Sequence, residues 1–332
     1  MNSFRAMRVE KQDDGSFGRR VIERSTDELP EGELLIDVRY SSLNYKDALS
    51  ASGAPGVTRS YPHTPGIDVA GVVLESESTA FRAGDEVIAI GFDLGMDTDG
   101  GFGQCVRIPS SWALPLPDGL SLRESMILGT AGFTAALCIS KLESFGMCPS
   151  DGPILVTGAT GGVGSVAVQL LGLNGYEIHA ATGKPEQTDF LKALGADQTL
   201  AREDLLQNAH RPLQREMWGG VVDTVGGDMM MNAIKGLKYG KSLAACGLVH
   251  SPSFSGTVLP FILRHVNLLG IDSVELPIEE KAEVWGKLAS TWRINDLESL
   301  ATDLTLNTLS DAIDRILQGR MVGRGVLDLQ AD

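Results

Sequence analysis

From Ile154 to Gln169 the chain reads Ile-Leu-Val-Thr-Gly-Ala-Thr-Gly-Gly-Val-Gly-Ser-Val-Ala-Val-Gln, an apolar strand that runs into glycines and then into a helical pattern. That arrangement turns backbone N–H groups towards an anion such as the pyrophosphate of a dinucleotide. Gly158 and Gly161 allow the tight turn and close backbone approach, Gly162 adds space, and Gly164 lets the helix pack on the strand. The spacing departs from a strict G-x-G-x-x-G, and a glycine turn with no ligand is the competing reading. About 20 residues further on, the position of a carboxylate for the ribose 2′-hydroxyl of NAD is occupied by Ala180, Ala181, Thr182, Gly183 and Lys184. A hydroxyl, a glycine amide and a cation there favour the 2′-phosphate of NADP, with Arg202 a second candidate cation; Lys184 as a solvated lysine is the alternative.

The elements that must hold such a site are legible in outline. Residues 33–41, 68–74, 86–91 and 104–108 alternate or are rich in β-branched residues, which predicts an all-β region cut by proline- and glycine-rich loops. From residue 122 the spacing becomes helical. After that strands at 153–156 and 177–181 alternate with helices at 163–173 and 184–194, and further strands are expected at 220–223, 243–246 and 267–271. Strand–helix alternation of this length implies a doubly wound parallel sheet. A helix through Ala282, Trp285, Leu288 and Trp292 and a short strand at 325–329 do not continue the alternation, so the tail is expected to rejoin the first domain.

The 332 residues fit about two domains. The hydrophobic content of 43% and charged content of 21% are those of a folded globular chain. A formal net charge of -15 repels phosphate backbones and anionic lipid, so neither nucleic acid nor membrane is an expected partner. The four cysteines, Cys105, Cys138, Cys148 and Cys246, form no C-x-x-C pair, and residues 1–14 hold no signal-peptide core, so a reducing cytoplasm is expected. The uncharged run at 152–176 contains the glycine turn and reads as strand, turn and helix rather than a membrane span.

Several blocks fall in order along nearly the whole chain: Ser42-Leu-Asn-Tyr-Lys-Asp47, Pro65-Gly-Ile-Asp-Val-Ala-Gly71, Gly84-Asp-Glu-Val87, Gly129-Thr-Ala-Gly-Phe-Thr-Ala135, the glycine turn, Asp223-Thr-Val-Gly226 and Pro260-Phe-Ile-Leu-Arg264. They resemble successive blocks of the medium-chain dehydrogenase/reductase superfamily. The first and last, with Ala245-Cys-Gly-Leu248 and Gly270-Ile-Asp-Ser273, resemble its acrylyl-CoA reductase branch, once grouped with the quinone oxidoreductases. The resemblance implies an α/β chain in two domains. A GroES-like β-barrel catalytic domain would comprise residues 1–124 and 273–332, and a Rossmann doubly wound parallel-sheet domain for NADP(H) residues 125–272. It implies cofactor contacts at Tyr45, Thr160, Gly161, Gly162, Val163, Thr182, Gly183, Lys184, Arg202, Leu248, Ile262, Ser273 and Arg324. Leu248 and Ile262 are read equally well as core packing, and the Gly319-Arg320 pair competes with Gly323-Arg324 for the last match. Zinc-dependent members carry Gly-His-Glu where this chain has Gly66-Ile67-Asp68, so no metal is expected.

The implied activity is NADPH-dependent reduction of the carbon–carbon double bond of an α,β-unsaturated acyl-CoA, acryloyl-CoA to propanoyl-CoA, by a homodimer. An NADPH-dependent quinone or enone oxidoreductase is the alternative, and a cofactor-binding protein without turnover a third reading. Hydride delivered to the β-carbon builds negative charge on the thioester oxygen, which calls for donors and then a proton. Asn44, Tyr45 and Asp47 are the candidate catalytic residues: a phenol able to donate, an uncharged amide, and a carboxylate that orients its neighbours. The competing reading is an Asx-type turn in which Asn44 and Asp47 satisfy backbone groups.

Overall fold

The computed structural model describes residues 3–331; Met1, Asn2 and Asp332, at the ends of the expected first domain, lie outside them. The chain opens with an antiparallel hairpin, β1 (Ser3–Lys11) and β2 (Phe17–Ser25). Sequence reading passed over it because arginines interrupt the apolar residues; Phe4, Ala6, Met7 and Val9 are buried while Arg5 and Arg8 keep partial exposure. Then come β3 (Leu34–Leu43), β4 (Asp68–Ser76), β5 (Glu86–Ile90), β6 (Cys105–Ile108) and β7 (Ala113–Pro115). A long helical stretch, Leu122–Ser144, leads into β8 (Ile154–Thr157), β9 (Ile178–Thr182), β10 (Gln198–Ala201), β11 (Gly220–Asp223), β12 (Ser242–Ala245) and β13 (Asn267–Gly270). After the helix Ile278–Ala289 the chain ends with β14 (Ala301–Leu304), the helix Leu306–Leu317 and β15 (Arg324–Asp328).

Two compact units result. One comprises residues 1–130, 274–290 and 295–332, the other residues 131–273 and 291–294. In the first, a seven-stranded sheet runs β14-β15-β3-β4-β5-β7, with β6 also paired to β3. β3 is its hub: residues 34–37 pair with β6, residues 34–40 with β4, and residues 40–43 with β15. The C-terminal strand therefore lies beside the start of the Asn44–Asp47 loop. In the second unit all six strands pair in parallel in the order β10-β9-β8-β11-β12-β13. Numbered by appearance this is 3-2-1-4-5-6, the doubly wound Rossmann order, whose nucleotide site lies beyond the carboxyl ends of the strands. β10, absent from the sequence reading, has intermediate and exposed residues only and so shows no apolar run. The expected helix at 184–194 is a 3-10 turn, Pro185–Gln187, followed by a helix over Thr188–Ala193.

The helical stretch Leu122–Ser144 is broken at Gly129, where φ is 50° and ψ is -160°. That conformation suits glycine alone, and side chains crowd the place of a Cβ. An added carbon would lie 2.8 Å from Arg324 Nη2 and closer still to Ser42 Oγ and Asp68 Oδ2. The helix thus restarts at Thr130 against buried polar groups of β3, β4 and β15. Gly129→Ala is expected to cost at least about 1–3 kcal/mol through the strained backbone, read as a melting temperature several degrees lower in a thermal scan. An unchanged melting temperature would mean that those side chains do not hold the break.

Candidate functional site

In the second unit β8 is buried throughout and delivers the chain into Gly158, whose φ is 59°. A Cβ there would lie 3.0 Å from Val225 Cγ1, and one at Gly164 would lie 2.7 Å from Ala159 Cα, so both glycines are required by close packing of turn and helix. Gly161 caps the helix Gly162–Leu173 in extended conformation. The first-turn N–H groups of that helix, Gly162 and Val163 among them, have no intrahelical acceptor and carry the positive end of the dipole. The Thr160 and Thr182 hydroxyls stand 3.1 Å apart and tie the turn to the end of β9.

Past β9 the geometry carries electrostatic information. The Arg202 guanidinium packs against Gly183, where a Cβ would be 2.6 Å from Arg202 Cζ. Burial pulls the Lys184 ammonium below its usual value; Glu186 opposes the shift and the cation of Arg202 adds to it. Two cations are therefore held near each other at the end of the second parallel strand, an arrangement that an anion would relieve. Of the remaining expected contacts, Leu248 is 50% and Ile262 69% exposed, so neither is a core residue. Ser273 is buried and its hydroxyl oxygen accepts from Thr134 Oγ1 at 2.9 Å.

In the first unit the sequence block Ser42–Asp47 ends β3 and opens the short helix Tyr45–Ser50, with Asn44 as its extended N-cap. Asp47 is completely buried. Its two carboxylate oxygens accept from the backbone N–H of Asn44 at 2.8 Å and of Ile67 at 2.9 Å. The Asn44 amide donates to Asp68 Oδ2 at 2.8 Å and to Ser42 O at 3.2 Å, and its oxygen accepts from Arg324 Nη1 at 3.3 Å. The polar atoms of Asn44 and Asp47 are thus engaged with the turn, the helix cap and Asp68, the arrangement of the competing turn reading, and Asp47 orients its neighbours. Arg324 is 2% exposed, with Nε on Ile127 O at 2.9 Å and Nη2 on Ser42 Oγ at 2.8 Å, so its guanidinium has no face left for a phosphate. Tyr45 alone of the three keeps partial exposure, and its hydroxyl makes no hydrogen bond among the described residues.

Asp68 is the residue that sequence reading missed as a site group. It has no exposure; Oδ1 accepts from Thr130 Oγ1 at 2.5 Å, and Oδ2 accepts from Thr130 N at 2.9 Å, from Asn44 and from Ser42 Oγ, with Arg324 Nη2 4.0 Å away. The available signal was an aspartate opening an otherwise apolar strand, Asp68-Val-Ala, which must be paired if buried. These groups do not fit a zinc ion. Ile67 is buried in the core, the oxygens of Asp47 and Asp68 are occupied by N–H and O–H donors, and among the described residues no group of three or more His, Cys, Asp or Glu could hold a metal.

A mixed sheet carrying the polar loop and a separate doubly wound nucleotide unit define a two-domain oxidoreductase of alcohol dehydrogenase type. The Alcohol dehydrogenase GroES-like domain family matches residues 30–118, and the Zinc-binding dehydrogenase family residues 162–290. An acrylyl-CoA reductase of Ruegeria pomeroyi is 43% identical over 99% of this chain and 100% of its own length. A putative quinone oxidoreductase of Bacillus subtilis is likewise 43% identical, over 98% of this chain and 99% of its own. The Escherichia coli YhdH structure with bound NADPH superposes with a TM-score of 0.95 at 40% identity, covering 98% of this chain and 99% of that one; the Bacillus subtilis YhfP structure, with NAD bound, gives 0.95 at 42% over 99% and 100%. The chain belongs to the medium-chain dehydrogenase/reductase superfamily, with a GroES-like domain and a Rossmann domain.

Burial first, and then the nearby charge of Asp68, pushes the Asp47 carboxyl up to about 7, against the two backbone N–H groups that favour its ionised form. The unfolded value is about 3.9, so between these values the folded chain binds more protons than the unfolded one. Stability contributed by this group is full below pH 4 and is lost as pH rises towards 7. Midpoints of urea unfolding measured across that window should fall less steeply with pH in Asp47→Asn than in wild type; parallel curves would assign the proton elsewhere.

Proposed function

We propose that the protein is an NADPH-dependent reductase of the carbon–carbon double bond of an α,β-unsaturated acyl-CoA, turning acryloyl-CoA into propanoyl-CoA. The observation that carries the cofactor is the pair of cations at the end of β9, with Arg202 packed against Gly183 beside Lys184 and no carboxylate where a ribose hydroxyl would be read. Thr160, Gly161, Gly162 and Val163 supply hydroxyl and backbone donors to the pyrophosphate, and Thr182, Gly183, Lys184 and Arg202 receive the 2′-phosphate. NADPH bound in this way supplies a hydride to the β-carbon. In the other unit Tyr45 offers the one uncommitted phenol of its loop, as a donor to the thioester oxygen on which charge develops or as the source of the α-carbon proton. No Lewis acid is invoked, because the donor set fits none and a conjugated double bond accepts hydride without one.

Substrate choice is supported by the full-length similarity to the Ruegeria acrylyl-CoA reductase. The equal identity to a putative quinone oxidoreductase favours a second reading, a quinone or enone acceptor with the same cofactor. Steady-state kcat/KM with NADPH is expected to be at least about 100-fold higher for acryloyl-CoA than for a simple benzoquinone, a gap of the size one well-placed donor supplies. The reverse ratio would establish the quinone reading. The proposal includes a homodimer: β13 is an open edge of the parallel sheet, and Leu268 on it is exposed, as are Val258, Ile262 and Leu263 before it.

Lys184→Glu tests the phosphate site, because charge reversal removes an attraction and adds a repulsion only where the 2′-phosphate is present. Binding titrations should show NADPH affinity falling at least about tenfold, the equivalent of about 1.4 kcal/mol, with NADH affinity nearly unchanged. Equal wild-type affinity for the two nucleotides would refute the assignment.

A further inference from the structure

Four stretches of chain far apart in sequence end on one carboxylate. Ser42 and Asn44 come from the end of β3, Thr130 from the restart of the broken helix, and Arg324 from β15; all of them reach Asp68, the first residue of β4. Every partner is itself buried, so the cluster cannot touch a substrate directly. Its output is conformational. Asn44 is the N-cap of the helix Tyr45–Ser50, and its amide is gripped on both sides, the nitrogen by Asp68 and Ser42 O and the oxygen by Arg324. With the cap residue fixed at φ -115° and ψ 160°, the place where that helix begins, and hence the Cα–Cβ direction of Tyr45, is fixed as well. Asp68 does the same at a second helix start: it takes both the N–H and the hydroxyl of Thr130 where the helix resumes after Gly129. A carboxylate there faces the positive end of the helix dipole.

We propose that Asp68, backed by Arg324, is a positioning residue for the reductase: it acts through the Asn44 cap to hold Tyr45 in its working orientation. The inference rests on the assignment of Tyr45 as the donor. Asparagine at position 68 keeps the shape but replaces an acceptor oxygen with an N–H2 group. With its N–H2 on the Oδ2 side residue 68 meets the Asn44 amide and Thr130 N–H donors, with it on the Oδ1 side it turns the Thr130 hydroxyl into an acceptor, and in either case Arg324 loses its counter-charge. The Asn44 amide is released or turned, and Tyr45 moves with it. The groups assigned to the nucleotide's phosphates, Thr160 to Val163 and Thr182 to Lys184 with Arg202, belong to the other unit, so affinity for NADPH changes little.

A double-mutant cycle tests this. Tyr45→Phe should lower kcat about 100-fold or more, the usual loss for one charge-stabilising donor. Asp68→Asn should lower kcat by a similar factor while the NADPH dissociation constant stays within about threefold of wild type. The double variant should be no slower than the worse single, because the second change has nothing left to disturb. Ser42→Ala, a milder cut into the same cluster, gives a second arm if Asp68→Asn does not fold; its smaller loss of kcat should vanish in the Tyr45→Phe background. Losses that multiply in the double variants would overturn the inference while leaving Tyr45 as the donor. Full kcat in Asp68→Asn and Ser42→Ala, with only the melting temperature lowered, would overturn it too. Wild-type kcat in Tyr45→Phe would remove the donor assignment itself, and the inference with it.

Discussion

A carboxyl group buried without exposure is tolerable only when its oxygens are filled by hydrogen-bond donors. In this chain that condition is met at Asp68 by two hydroxyls, an amide and a backbone N–H, with the guanidinium of Arg324 4.0 Å away. Meeting it dictates much of the first unit. The C-terminal strand must return to lie beside β3 so that Arg324 arrives; the long helix must break at a glycine so that Thr130 can present its N–H; and the loop after β3 must cap its own helix with Asn44. Breaking such a pair by removing one partner typically costs about 3–5 kcal/mol.

The second unit solves the opposite electrostatic problem. It gathers positive potential at one end of its sheet: first-turn amides of the helix after β8, and the neighbouring Lys184 and Arg202 cations after β9. On a chain with a formal net charge of -15, such a local concentration of positive charge does not reflect the composition. The close packing at Gly158 and Gly164 holds the turn after β8 tight against the start of the helix that follows.

Much of this organisation was legible in the residues because local rules govern it. The glycine turn, the strands on either side of it and the missing carboxylate after Ala181 depend on spacing alone. The strands at 68–74 and 86–91 were visible through β-branched content. What could not be read is long-range. Asn44 and Asp47 have the residue types of a catalytic pair, and only the arrival of Ile67, Asp68 and Arg324 shows that their polar atoms are consumed in a cap. Arg324 in turn looks like a phosphate ligand until its burial is known. The hairpin β1–β2 escaped because arginines break up its buried apolar residues, and β10 because none of its residues is buried.

The fate of each hydrogen distinguishes the proposed reduction from any other. In the proposed reaction the β-carbon receives hydride from the nicotinamide and the α-carbon a proton that exchanges with solvent. Acryloyl-CoA reduced with NADPH deuterated at the transferring C4 position in ordinary water should give propanoyl-CoA with one deuterium at C3 and none at C2. The same reaction with unlabelled NADPH in deuterium oxide should place deuterium at C2 only, as read by NMR of the product. Nicotinamide-derived label at C2, or its loss to solvent before transfer, would contradict hydride delivery to the β-carbon.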